Sequence, residues 1–186
     1  RNQVNPHFLF NSLNVLSALV YKDADTANSY IEQLSKVYRY LLRNQSSDLV
    51  TVEEEMEFLD AYVFLLKIRF GNSLVINNAL NLKVKTYHIA PATLQMLIEN
   101  AIKHNIISKS DPLTITVRQE GDYIVVENNI QLKPVKPLST STGLENIQKR
   151  YNFLTGKEAL VVNSNGKYTV KVPMIEPDNE YTDSRR

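Results

Sequence analysis

Cysteine and tryptophan are absent from the 186 residues, and glycine occurs five times, never before Gly71. Without cysteine there are no disulfides, no thiolate metal sites and no cysteine nucleophile, a composition that fits a reducing compartment. Histidine is scarce. His7, His88 and His104 are scattered and no His-Glu-x-x-His pattern occurs, which argues against a metallohydrolase. No run approaches the ~20 apolar residues needed to cross a bilayer. Neither sign of charge dominates: 21 Lys and Arg face 20 Asp and Glu, a net charge of +1. That balance gives no basic field for nucleic acid and no acidic one for a cationic partner. The opening Arg1-Asn2-Gln3-Val4-Asn5-Pro6 is no signal peptide. It is polar and reads as mid-element, as in a segment of something longer, so any membrane segment is expected outside this chain.

An apolar fraction of 43% supports an ordinary globular core. Up to Gly71 apolar residues recur at steps of three and four, at Leu9, Leu13, Leu16 and Val20 and again at Ile31, Leu34, Tyr38 and Leu41, which predicts helices. Lys22-Asp23-Ala24-Asp25 breaks the pattern, with Asp25 or Thr26 placed to cap a second helix. A polar stretch at residues 44–49 breaks it again. Thr51 with Glu54 forms a capping-box pattern that opens a third helix, expected to run to Phe70 and stop at Gly71. Phe8, Val15 and Leu19 add apolar surface on a second face of the first helix. A two-helix hairpin cannot bury both faces, so a dimeric four-helix bundle is expected.

Beyond Gly71 the texture becomes β-rich, with runs at residues 74–80, 113–119, 123–128, 159–163 and 168–173. Gly121-Asp122 and Asn165-Gly166 are placed as hairpin turns. Helices are expected at residues 92–105, after Pro91, and at about 143–154. Mainly antiparallel strands with helices on one face make an α+β sandwich. Residues 131–142, with Pro134, Pro137 and a Ser/Thr run, read as a mobile loop, and the polar tail 176–186 as disordered. The division expected is 1–50 for a helical dimerisation region, 51–72 for a connecting helix, 73–176 for the α+β sandwich and 177–186 for the tail.

Three segments could carry chemistry. In Asn5-Pro6-His7-Phe8-Leu9-Phe10-Asn11 a proline precedes a histidine, at a cost of roughly 3 kcal/mol in a helix interior. His7 and Asn11 share a helical face. A neutral imidazole can attack phosphorus, and an amide one turn away could orient a water or the imidazole; the alternative is a bundle histidine beside a kink. In Leu97-Ile98-Glu99-Asn100-Ala101-Ile102-Lys103-His104-Asn105 the apolar face is Leu94, Leu97, Ile98 and Ala101. Glu99, Asn100, Lys103 and His104 crowd the polar side. An Asn carbonyl suits Mg²⁺, which keeps waters and phosphate oxygens as its other ligands, and Lys103 offers phosphate a point charge; a solvated helix face is the alternative. Thr142-Gly143-Leu144 stands where a loop meets a helix, a place for close backbone approach and anion binding, or simply a turn.

Together and in this order the three segments resemble the sensor histidine kinases of the LytS type. Their phosphoacceptor helix carries Asn-Pro-His-Phe-Leu-Phe-Asn, present letter for letter at residues 5–11. Their ATP-binding domain has a Leu-Gln, a Val/Ile-Glu-Asn-Ala and a Lys-His pair, matched by Leu94-Gln95 and residues 98–104. Glu55, Tyr62 and Arg69 also stand where that family has these types, and the match spans residues 4 to about 175. The resemblance implies a homodimer, a GHKL-type ATP-binding sandwich and the cytoplasmic part of a bacterial inner-membrane sensor. It implies that His7 takes the phosphoryl group of ATP and passes it to an aspartate on a response regulator receiver domain, with Glu99 assisting proton transfer; of the two roles its spacing allows, Asn11 is expected to hold a water rather than orient the imidazole. It gives Mg²⁺ to Asn100 and the nucleotide to Asn100, Lys103, His104, Asn105, Asn128, Thr142, Gly143 and Leu144, under a lid formed by residues 131–142. There are two departures. The family's Asp-Asn-Gly is here Glu127-Asn128-Asn129-Ile130, with Asn128 in the aspartate's place by strand phase or Glu127 on a one-residue shift, and Ser141 replaces a usual glycine. A degenerate kinase-like dimer that signals without ATP turnover, and a helical scaffold or binding module, are the competing readings.

Overall fold

The computed structural model describes residues 6–80, 82–134 and 142–177. Asn5, Ser141, most of the expected loop and the tail beyond residue 177 lie outside the described residues, as do the residues on which a bend at Pro6 would act. Helix α1 (Pro6–Lys22) and helix α2 (Ala24–Arg43) form the expected hairpin. Asp23 caps α2, not Asp25 or Thr26: its carboxylate accepts the Thr26 N–H at 3.0 Å and the Thr26 hydroxyl at 2.6 Å. The reason is steric economy, since Asp23 is the one residue between the helices and so the one with non-helical backbone (φ −156°).

The faces of α1 also divide differently from the expectation. Leu16 joins Phe8, Val15 and Leu19 against the core, with Ser12 buried among them and its hydroxyl donating to the Phe8 carbonyl at 2.8 Å. Phe10, Leu13, Val20 and Tyr21 face outward.

Helix α3 (Val52–Phe70) opens on the capping box, with the Glu54 N–H on the Thr51 hydroxyl at 3.2 Å and the Thr51 N–H on the Glu54 carboxylate at 3.1 Å. It stops at Gly71, whose positive φ of 55° glycine adopts without strain. Before α3 lies an element the sequence did not reveal: β1 (Val50–Thr51) pairs antiparallel with β3 (His88–Ile89), Val50 opposite Ile89. This short ladder fixes the start of α3 beside the chain entering helix α4 (Thr93–His104).

Among the described residues five strands form the main sheet: β2 (Leu74–Ala79), β4 (Leu113–Glu120), β5 (Tyr123–Asn129), β6 (Leu160–Ser164) and β7 (Lys167–Pro173), in the order β2-β4-β5-β7-β6. β2 runs parallel to β4 and the other neighbours are antiparallel. Both expected hairpin turns are present. Asn165 (φ 52°) and Gly166 (φ 71°) both take the left-handed conformation that a tight β6–β7 turn requires. Leu113, Ile115 and Val117 alternate inward from β4 against the layer of α4 and helix α5 (Thr142–Thr155).

Candidate active site

Helix α4 carries the polar cluster. Leu94, Leu97, Ile98 and Ala101, at 0–4% exposure, face the core and turn Glu99, Asn100, Lys103 and His104 to the other side. Three adjoining cavities follow that side. One of about 300 Å³ lies between α4, β5 and α5, and is lined by Asn100, Ala101, His104, Asn128, Leu144 and Tyr168 among others. A second, of about 210 Å³, shares Asn100 and Leu144 with it and adds Glu99, Lys103 and Gly143. The third, of about 580 Å³, lies between α1, α3 and α4, where Glu99 and Lys103 meet His7, Asn11 and Arg69. Two residues 92 and 96 positions downstream of the histidine therefore line both its cavity and the one at the α5 N-terminus.

His7 sits on the exposed side of α1, with the Asn11 side-chain amide nitrogen 3.3 and 3.4 Å from its two ring nitrogens. The two residues share the face their spacing predicts. Phe8, beside His7, is anchored inward, its ring 5.8 Å from Tyr62 and 6.0 Å from Tyr38. Across the cavity Glu99 accepts hydrogen bonds from the Tyr62 hydroxyl at 3.2 Å and the Gln95 amide at 3.1 Å. Burial pushes the Glu99 carboxyl above its ordinary pKa, opposed by these two donors and by His7. A carboxyl raised above its ordinary range and facing the same cavity as an imidazole is a candidate proton acceptor.

In the 300 Å³ cavity the two strand-phase alternatives separate. Asn128 is buried and lines the cavity, whereas Glu127 lies on the other side of β5, paired with Lys167 at 3.2 Å and Arg118 at 3.6 Å. The Asn128 amide donates to the Asn129 carbonyl at 2.7 Å, a contact an aspartate could not make. Asn105 also lines the cavity, but its amide is committed to the protein: it donates to the Ala101 carbonyl at 2.8 Å and accepts the Gln131 N–H at 2.7 Å. It joins the end of α4 to the start of the 131–134 segment. The His104 imidazole has its pKa lowered by partial burial and by the neighbouring charges of Lys103 and Lys133. Gly143 and Leu144 line the middle cavity, and a Cβ on Gly143 would meet no atom within 4 Å. Thr142 opens α5; its side chain is not among the described ones.

Sequence reasoning assigned no role to four contributors. Tyr62, 37 residues from Glu99, leaves no spacing signal. Gln95 was legible as an i, i+4 partner of Glu99. Lys133 donates to the carbonyls of Ile102 and Lys103 at 3.3 and 3.0 Å, covering the C-terminal end of α4. Glu55, fully buried, accepts the N–H groups of Ala92 and Leu94, each at 3.0 Å, at the other end of α4.

A protein-family model described as histidine kinase matches residues 1–74. The sensor histidine kinase BtsS of Escherichia coli (strain K12) is 34% identical over 144 residues, covering 76% of this chain and 26% of that protein. The sensor protein LytS of Staphylococcus haemolyticus is 34% identical over 174 residues, covering 84% of this chain and 30% of that protein. The chain thus spans between a quarter and a third of the length of these relatives. Among solved structures, the cytoplasmic segment of histidine kinase QseC aligns with 82% of this chain and 95% of its own, at 20% identity and a TM-score of 0.46.

Proposed function

The chain belongs to the sensor histidine kinases of the LytS type, and on that footing we propose that it is their kinase core, moving the γ-phosphoryl group of ATP to His7 and then to an aspartate of a receiver domain. The observation that carries the reading is the pair Glu99 and Lys103, which line both the histidine's cavity and the cavity at Gly143. The donor and acceptor of one phosphoryl group need such a shared wall.

The residues present fit a nucleotide. The largely apolar cavity at Ala101, Leu144 and Tyr168 suits a base, and with the Asn128 amide donating to the backbone, its carbonyl is the group to receive an amino donor. Gly143, with open space where a Cβ would stand, and the first N–H groups of α5 suit phosphate. The Asn100 carbonyl and water would hold a Mg²⁺ carried in with the phosphates, and the ion would supply neutralisation of phosphate charge. Among the described residues no group of three His, Asp or Glu side chains could hold the ion without the nucleotide.

In the transfer a ring nitrogen of His7 bonds to the γ-phosphorus as the bond to the β,γ-bridging oxygen breaks and ADP leaves. The other ring nitrogen gives up its proton to Glu99. Lys103 and Arg69, both lining the histidine's cavity, supply positive charge where it is needed.

The exposed apolar stripe on α1 supports a homodimer through residues 1–50. The connecting helix, residues 51–72, joins it to the catalytic domain, residues 73–176. On this reading the kinase core is the cytoplasmic part of a membrane-anchored sensor. No described helix is itself long and apolar enough to cross a membrane.

Asn100→Asp tests the nucleotide site. It puts a negative charge against phosphate, and Mg-ATP binding should weaken by about tenfold or more with unchanged circular dichroism. Unaltered binding and turnover would remove Asn100 from the site and take the proposed function with it.

A further inference from the structure

Helix α4 has no N-terminal cap of its own. Its N-cap residue is Ala92, in the left-handed conformation (φ 60°), with no side-chain oxygen to offer. The first N–H groups of a helix lack intrahelical partners, and here they are buried: Ala92 is 5% exposed and Leu94 is fully enclosed. The Thr93 hydroxyl, the nearest candidate, donates instead to the Ala90 carbonyl at 2.6 Å. The cap comes from α3, where one Glu55 oxygen takes the Leu94 N–H and the other the Ala92 N–H. That second oxygen also accepts the hydroxyl of Tyr40, on α2.

A side-chain cap at position 92 would not depend on another helix, but Ala92 offers none. Instead the cap exists only while α3 and α2 are in place. α3 grips α4 a second time two turns further on, where Tyr62 holds Glu99. Two grips seven residues apart on α3 fix the axial register of α4, since a slip of one residue, about 1.5 Å, breaks both. Tyr40 in turn stacks on Phe58 of α3, ring centroids 4.1 Å apart and planes at 12°.

We propose that Glu55 is the positioning residue of the nucleotide site: it sets Glu99, Asn100 and Lys103 by capping α4, and through Tyr40 makes their placement depend on the helical hairpin. Glu55 touches no substrate. A displacement of α2 reaches the phosphate-side residues through this carboxylate. The proposal rests on the kinase reading for its catalytic consequence, but not for its geometry.

The test compares wild type with Glu55→Gln, which keeps the volume but turns an amide donor toward N–H or hydroxyl donors, and with Tyr40→Phe, which leaves the cap and cuts the link to α2. Amide hydrogen exchange along α4 and the KM and kcat for Mg-ATP in autophosphorylation are measured on all three. Glu55→Gln should exchange faster at Leu94 and also at Asn100 to Lys103, and raise KM about tenfold with kcat changed less. Tyr40→Phe should give a smaller change of the same kind. Faster exchange confined to the first turn, with KM unchanged, would reduce Glu55 to a structural cap and overturn the proposal. If Glu55→Gln does not fold, Tyr40→Phe decides by the same two readouts. A wild type that neither binds nucleotide nor labels would defeat the proposed function, and the exchange at Asn100 to Lys103 would still decide the role of Glu55.

Discussion

At 3.3 and 3.4 Å, the contacts between the Asn11 amide nitrogen and the two His7 ring nitrogens are too long to lock the ring. On the proposed function, an amide there would hold a water in line with the aspartyl phosphate of a docked receiver domain. Asn11→Ala should leave autophosphorylation within about threefold and slow the loss of phosphate from the receiver by about tenfold, with both rates measured on the one variant. Impaired autophosphorylation with unchanged dephosphorylation would assign Asn11 to the imidazole instead. Glu55 makes a prediction about stability. Burial pushes its carboxyl up to about 7 from an ordinary 4.5, against the opposing Tyr40 hydroxyl and the Leu94 and Ala92 N–H groups. Between those values the folded state holds a proton that the unfolded chain has lost. The stabilisation is therefore complete below pH 4.5 and is lost as pH rises through 7. Urea unfolding should show wild type losing on the order of 3 kcal/mol relative to Glu55→Gln between pH 4.5 and pH 8. Parallel profiles would contradict it. His7, Asn11, Glu99 and Asn100 were legible because i, i+4 spacing and residue type are local properties. Glu55 was visible only as a residue type at a matching position, because its partners lie 37 and 39 positions away.

Helices α3 and α4 work as a pair, and Tyr62 is where one tunes the other. Its hydroxyl stabilises the charged form of Glu99, so Tyr62→Phe should raise the Glu99 pKa. If ionised Glu99 takes the proton from His7, the acid limb of the pH–rate profile moves to higher pH. An acid limb that stays put would remove Glu99 from the proton transfer. The regular elements themselves were mostly readable. The capping box of α3, the five strands of the main sheet and both hairpin turns follow from periodicity and turn chemistry. Three features were not. The β1–β3 ladder is two residues long, too short for any alternation to register. Asp23 rather than Asp25 caps α2 because the break between the helices is a single residue, a length the pattern left open. Leu16 faces the core because α1 packs on α2 and α3 together, a contact no single-helix projection contains.

On the scale of the molecule, one face of α1 remains uncovered: Phe10 is 65% exposed, Leu13 46% and Val20 52%, with Leu42 of α2 at 57%. Burying a Leu or Phe side chain contributes roughly 1.5–3 kcal/mol, which favours a second copy of the chain over water on this stripe. Leu13→Glu should therefore shift sedimentation equilibrium toward monomer at tens of micromolar. Sedimentation of the wild type as a monomer at that concentration would refute the dimer. Glu99 and Lys103 line both the histidine's cavity and the cavity at Gly143, and phosphoryl transfer to His7 is the central claim. Incubation with ATP labelled at the γ-phosphorus tests it most directly. Wild type should take up label that acid removes and base does not, and His7→Gln, folded and with its nucleotide site intact, should take up none. Label that persists on His7→Gln, or wild-type label that survives acid, would contradict the account.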